Sequence, residues 1–372
     1  MSAKLLWEVA TMENNNTNIT EISLSDFYLD SRLDLFSENK IIKKHFKTGI
    51  EAIDKITDGG LCAGLTILSG MPSLGKSTFA LQMASSIAEN GNTALFFSIE
   101  MTRDDCIAKI ISRNASLLSE NRNIVFSASK LMNEEWLNNM TVQESSLKAR
   151  AIEKTRKIAN NLLVMDIASF NMTLSNILGV IVKYMKETQR KPIIFIDYLH
   201  LISAPNDLNL GSEKQVLDYF LKQLNAFAKS NDIAIVLIST INRDGYKEAK
   251  ADMSAFCGTN LIEYGCDFAL ILDYTGKIKR ESNFDIDEAR NATVRKVTAR
   301  VVKNRFGSSG ANIDYLFIPV FNDFREVGSE VKVAEDIDEI LFNEDEVSED
   351  VRSMFPFDIP FDSEGTIKPK KG

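Results

Sequence analysis

The stretch Leu65-Thr66-Ile67-Leu68-Ser69-Gly70-Met71-Pro72-Ser73-Leu74-Gly75-Lys76-Ser77-Thr78 decides the fold of this chain. A mostly apolar run, Leu65–Ser69, leads into G-x-x-x-x-G-K-[ST], and a helical stretch follows from Lys76 to about Glu89. A strand that turns through such a loop into a helix is a phosphate-binding arrangement. The glycines let backbone N–H groups curl round phosphate oxygens, and the helix start adds the positive end of its dipole. On this reading Gly70, Pro72, Ser73, Gly75 and Thr78 frame the phosphates. Lys76 meets the β- and γ-phosphates, and Ser77 ligates Mg2+.

Outward from this loop, the runs Thr93–Ser98, Leu162–Met165, Ile193–Ile196, Ile233–Ser239 and Phe268–Leu272 alternate with longer helical stretches. Apolar strands separated by helices predict a mainly parallel sheet covered on both faces. Residues Val294 to Val327 read differently, as alternating strands flanking Phe306-Gly307-Ser308-Ser309-Gly310, a terminal β-hairpin. Two of the runs end in carboxylates. Asp197 closes Ile193–Ile196 at the strand end where α/β sheets bind ligands, placed to hold Mg2+. Glu100 follows Thr93–Ser98 and falls near the γ-phosphate, a base for the attacking water. A carboxylate after a strand is often only a helix cap; the phosphate loop upstream gives these two a chemical role.

Several segments together resemble the ATPase domain of the DnaB-type replicative helicases. They are Thr48–Asp54, Gly59-Gly60-Leu61, Pro72–Lys76, Phe97–Met101 and Ile196–Ile202. The order continues through Phe220–Asp232, Ile241-Asn242-Arg243 and Val301–Gly310, so the similarity spans about Lys47 to Val327. The resemblance implies a RecA-like domain that binds ATP and Mg2+ and assembles as a ring, usually a hexamer, around single-stranded DNA. It also gives Glu100 the part of catalytic base. Lys303 and Arg305, which by themselves read as exposed basic residues at a hairpin tip, become residues that reach a neighbour's γ-phosphate. An arginine so placed stabilises charge on the transferred phosphoryl group. The loops after Ile233–Ser239 face the channel in that family, which implies backbone contacts to DNA from Arg243, Lys247 and Lys250.

Three departures from the family pattern stand out. Thr240 occupies the position of a Gln that senses the γ-phosphate, and a hydroxyl cannot present an amide's donor and acceptor together. Ala255–Asn260 replaces the family's Asp-Leu-Arg-Glu-Ser-Gly stretch. The family's primase-contacting helical domain has no counterpart in residues 1–45, which read as an arm with a linker helix. These departures leave a second reading open: an ATP-switched DNA-binding, loading or recombination protein that oligomerises without unwinding.

The net charge of −9 argues at first against a nucleic-acid partner. Between Glu335 and Glu364, however, 12 acids face one base, a net of −11, so the rest of the chain carries about +2. The expected organisation is an arm over 1–45, a RecA-like P-loop NTPase domain over 46–328, and a disordered acidic tail over 329–372. The fold class is α/β. Within the tail, Met354-Phe355-Pro356-Phe357-Asp358-Ile359-Pro360-Phe361-Asp362 sets apolar anchors in acidic sequence, a pattern suited to docking a replication or repair protein. Its Asp-Ile-Pro-Phe core resembles the tip of bacterial single-stranded-DNA-binding proteins, but 11 residues follow Phe361. Cys62, Cys106, Cys257 and Cys266 show no C-x-x-C spacing, which reads as free thiols in a reducing cytoplasm. No apolar run approaches bilayer-spanning length, and no membrane partner is expected.

Overall fold

A computed structural model of the chain describes residues 44–119, 121, 124–197, 212–240 and 265–327. The arm before residue 44, the segment with Arg243, Lys247 and Lys250, the stretch 255–260 and the acidic tail lie outside the described residues.

Nine strands form one sheet: β1 (Gly64–Gly70), β2 (Ala94–Ser98), β3 (Leu162–Asp166), β4 (Ile193–Asp197), β5 (Ala234–Ile238), β6 (Phe268–Tyr274), β7 (Arg295–Asn304), β8 (Asn312–Ile318) and β9 (Asp323–Glu326). Their order is β3-β2-β4-β5-β1-β6-β7-β8-β9. The first six in that order run parallel, and β7, β8 and β9 continue antiparallel. All six apolar runs of the sequence are strands, because helices cover both faces and make most positions in the central ones apolar, with polar side chains such as Ser69 and Asp197 near the C-terminal ends. β1, β4, β5 and β6 are buried at every position.

The helices, in chain order, are α1 (Glu51–Ile56), α2 (Lys76–Glu89), α3 (Arg103–Leu118), α4 (Ala128–Leu131), α5 (Glu134–Asn139), α6 (Val142–Arg156), α7 (Leu174–Thr188), α8 (Glu213–Asn231), α9 (Thr275–Lys279) and α10 (Ile286–Asn291). α2 starts where expected and buries Phe79, Leu81, Met83 and Ile87. α3 begins at a capping box: the Thr102 hydroxyl accepts from the Asp105 N–H, and the Asp105 side chain accepts from the Thr102 N–H. Beyond its far end, α4 to α6 pack a small second core around Ala115, Phe126, Leu147 and Ala151.

The terminal region is more than a hairpin. β7 also pairs with β6, and β9 adds a strand that the pattern of Asp-Phe-Arg-Glu conceals. Its Asp323 is buried, and Arg113 at 3.1 Å and Arg325 at 2.7 Å neutralise it. A buried charge is tolerated where it is paired in this way.

Candidate active site

β1, β2, β4 and β5 deliver their C-terminal ends to the same edge of the sheet, since all four run parallel. The loop after β1 curls there because Ser73 and Gly75 take left-handed backbone conformations, with φ of 65° and 81°. Neither glycine of the loop tolerates a larger residue. A Cβ on Gly70 would stand 2.6 Å from the Leu272 carbonyl oxygen, and one on Gly75 would stand 2.7 Å from the Phe317 ring.

A cavity of about 470 Å³ opens against this loop. Of the residues read from the sequence, it brings together Pro72, Ser73, Gly75, Lys76, Ser77, Thr78, Glu100, Asp197 and Thr240. Gly70 stands behind the loop, against Leu272. Glu100 is carried on a turn that starts where β2 ends beside β4. The Ile99 N–H donates to the Asp197 carbonyl at 2.6 Å, and the Met101 N–H donates to the Ser98 hydroxyl at 3.2 Å. The side chain of Glu100 is exposed to the cavity.

The charges of the cavity are unfinished. Asp197 is 1% exposed, yet neither carboxylate oxygen has a full hydrogen-bond partner among the described residues. Burial pushes its pKa up to about 6, while the nearby Ser77 hydroxyl pulls the other way and Glu100 adds repulsion. Lys76 donates to the Met71 carbonyl at 3.0 Å, a neutral partner within its own loop. Burial lowers its pKa, and Asp197 and Glu100 counter part of that. An orphaned buried carboxylate beside a serine hydroxyl fits Mg2+, which takes one or two protein oxygens and completes its shell with phosphate and water. Among the described residues no cluster of three or more His, Cys, Asp or Glu offers an all-protein metal cage.

Among the lining residues that sequence reasoning did not assign to the site are Lys109, Arg295, Phe317 and Asn322. Lys109, on α3, donates to the Asn322 side-chain oxygen at 2.8 Å. Burial lowers its pKa, and Cys106, Asp105, Asp197 and Glu100 push it back up. Arg295 opens β7, donates to the Ser73 carbonyl at 2.6 Å and lies over the Phe317 ring. None of the four sits in a motif; elements distant in sequence converge on the loop only once the sheet has formed.

Lys303 and Arg305 are not in this cavity. They lie at the other end of β7, and the ladder shows why: Asn304 stands opposite Phe268, whereas Val297 stands opposite Tyr274. Arg305 pairs with Asp267 at 2.8 Å, and Asp267 also accepts the N–H of Leu65 at 3.0 Å. The five steps from Leu65 to Gly70, at about 3.3 Å each, separate that pair from the phosphate loop by roughly 15–20 Å. Arg305 therefore cannot serve its own cavity.

A phosphate loop on a central parallel strand, a buried aspartate two strands away and antiparallel strands on one flank define a RecA-like P-loop NTPase. Residues 46–326 match the family described as the DnaB-like helicase C terminal domain, and the chain belongs to it. It is 21% identical over 313 residues to a probable replicative DNA helicase of Trieres chinensis, covering 81% of this chain and 64% of the relative. To the replicative DNA helicase DnaB of Geobacillus stearothermophilus it is 25% identical over 286 residues, 73% of this chain and 58% of the relative. The chain thus spans less than two thirds of the length of these relatives. Among solved structures, one of an isolated ATPase domain superposes with a TM-score of 0.64 at 19% identity, covering 81% of this chain and 98% of that one. A DnaB-like replicative helicase studied for its interactions with primase gives 0.63 at 19% identity, over 86% and 71%. Both share the fold.

Proposed function

We propose that the chain is the ATP-driven motor of a replicative DNA helicase, acting as a ring of copies, a hexamer by family analogy, on single-stranded DNA in the cytoplasm. One observation carries this reading: the nucleotide-type cavity and Arg305 lie at opposite ends of the sheet. A surface that supplies at one end what it lacks at the other joins head to tail, and such heterologous contacts make a ring where the rotation closes and a filament where it does not.

In this reading the loop from Gly70 to Thr78 cradles the triphosphate, with Lys76 on the β- and γ-phosphates. Mg2+, held by Ser77 and Asp197, would neutralise phosphate charge. Glu100 accepts the proton of the water that attacks the γ-phosphorus, and Thr240 takes the γ-phosphate-sensing position at the cavity wall. Lys303 and Arg305 leave their own chain's surface to reach the neighbour's nucleotide, while Arg243, Lys247 and Lys250 hold the DNA backbone. The stretch Met354–Asp362 docks a replication or repair protein, so deleting Glu335–Gly372 abolishes that capture and spares ATP turnover.

The test is strand displacement on a forked duplex together with native mass spectrometry. ATP and single-stranded DNA should convert the chain to a closed ring that displaces the strand, and Lys76→Ala should abolish displacement. A chain that stays monomeric with both ligands present, or turns over ATP without responding to DNA, would sink the proposal.

A further inference from the structure

Three cations and two carboxylates line the cavity: Lys76, Lys109 and Arg295 against Glu100 and Asp197. Were Lys76 the sole basic residue, the side chains lining the cavity would sum to a net negative charge. The two residues that no motif announces reverse that sign.

Lys109 is the more telling of the two. A few side chains along, α3 shows how this fold treats a cation it intends to neutralise. Arg113, one turn further, donates to buried Asp323 at 3.1 Å. Lys109 makes no ion pair among the described residues; it donates to two neutral oxygens, Asn322 Oδ1 at 2.8 Å and Thr78 Oγ1 at 3.5 Å. An ammonium has three donors, so it can make a further contact where it faces the cavity. Lys76, whose partner in the loop is the Met71 carbonyl, is held in the same manner. A half-buried cation held on neutral acceptors is costly, and persists where a counter-ion is to arrive from outside. The anion that fits a cavity walled by a phosphate loop is a phosphate group.

We infer that Lys109 is a second phosphate-binding lysine of this site, parked on Asn322 until the phosphate chain of a nucleotide takes its place. The inference rests on the nucleotide-binding part of the proposed function. It also accounts for the position of Asn322, held buried in a left-handed turn with φ of 54° at the start of β9, where it presents an amide oxygen to the lysine.

The experiment compares the full chain with Lys109→Gln and Lys109→Arg, by fluorescent-nucleotide titration and by thermal unfolding with no ligand, Mg-ADP or Mg-ATP. Gln keeps a donor for Asn322 but loses the charge; Arg keeps the charge. Lys109→Gln should bind nucleotide roughly ten- to a hundred-fold more weakly, the range of a charge-assisted hydrogen bond. Its nucleotide-free Tm should hold or rise, since an unpaired charge has gone, and Lys109→Arg should recover most of the affinity. A loss confined to ATP assigns the contact to the terminal phosphate and a loss for both nucleotides to the inner ones; either supports the inference. It is overturned if Lys109→Gln binds both nucleotides as wild type does. It is equally overturned if Gln and Arg variants alike lose nucleotide-free Tm along with affinity, the signature of a mere strut. A wild-type chain whose Tm ignores both nucleotides would instead remove the nucleotide-binding reading and the inference with it, so the two failures are told apart by the wild-type control.

Discussion

The phosphate-loop cavity and the Asp267 cluster at the opposite end of the central sheet handle charge in opposite ways. At the phosphate-loop end, Asp197 has no full hydrogen-bond partner, and Lys76, Lys109 and Arg295 donate to neutral oxygens. At the other end, buried Asp267 accepts from Arg305 and from the Leu65 backbone, with Lys229 a further 3.7 Å neighbour. The cavity is electrically incomplete and awaits a ligand. The Asp267 cluster is complete within the chain, and only a competing anion on a neighbour would draw Arg305 away. Pairing, more than the number of charges, separates a binding site from a structural joint.

The largest effect is expected from Arg305→Ala. If the paired end serves a neighbour's cavity, ATP turnover should fall by about 10³-fold or more while nucleotide affinity holds. Mixing this variant with Lys76→Ala should restore part of the turnover, because each supplies the half-site the other lacks. Two inactive variants that stay inactive when mixed would confine each end to its own chain.

Next come two acid substitutions with opposite signs. In nucleotide-free solution with EDTA, Asp197→Asn should raise stability. A folded-state pKa of about 6 against an ordinary 3.8 means the folded chain binds the extra proton between those values. Stability therefore declines as pH rises through that window, and the penalty of roughly 3 kcal/mol is fully present at neutral pH. Removing the charge should lift Tm by about 5–10 °C while abolishing Mg2+-dependent turnover. Asp267→Ala should do the reverse and cost about 2 kcal/mol, because it strands the buried Leu65 N–H as well as Arg305. Calorimetry on both variants checks the pair of signs.

How much of this was legible beforehand follows from the same physics. The central parallel strands announced themselves, since a strand buried on both faces is apolar at most positions, and the edge strand β3 showed through its short run of Leu, Val and Met. The phosphate loop was legible because its motif answers a local need, the left-handed backbone of Gly75 with φ of 81° where the strand turns into the helix. β9 was not, since burying Asp323 depends on Arg113, 210 residues away. Lys109 was invisible for the complementary reason. On α3 it reads as one more solvated lysine, and only the arrival of Asn322 beside it shows that it has no carboxylate. Sequence patterns report what each residue needs locally; they do not report which charges the fold leaves without a partner.

The smallest expected effect asks whether the contrast belongs to place or to burial. Lys191 precedes β4 and pairs with Asp232, just ahead of β5, at 2.9 Å, at the same end of the sheet as Asp267. Its geometry is as short as that of Arg305 with Asp267, but the two side chains are 49% and 61% exposed, against 8% for Asp267. Water screens such a pair and competes for both groups, so exposed pairs contribute about 0–1 kcal/mol. Lys191→Ala should therefore shift the denaturant midpoint by the equivalent of no more than about 0.5 kcal/mol, and less at high salt. If it instead costs as much as Asp267→Ala, that whole end of the sheet is held by its charges whatever their burial. If the small effect is found, burial is what turns an ion pair into a joint, and the unpaired, half-buried charges around the phosphate loop acquire their meaning from the same rule.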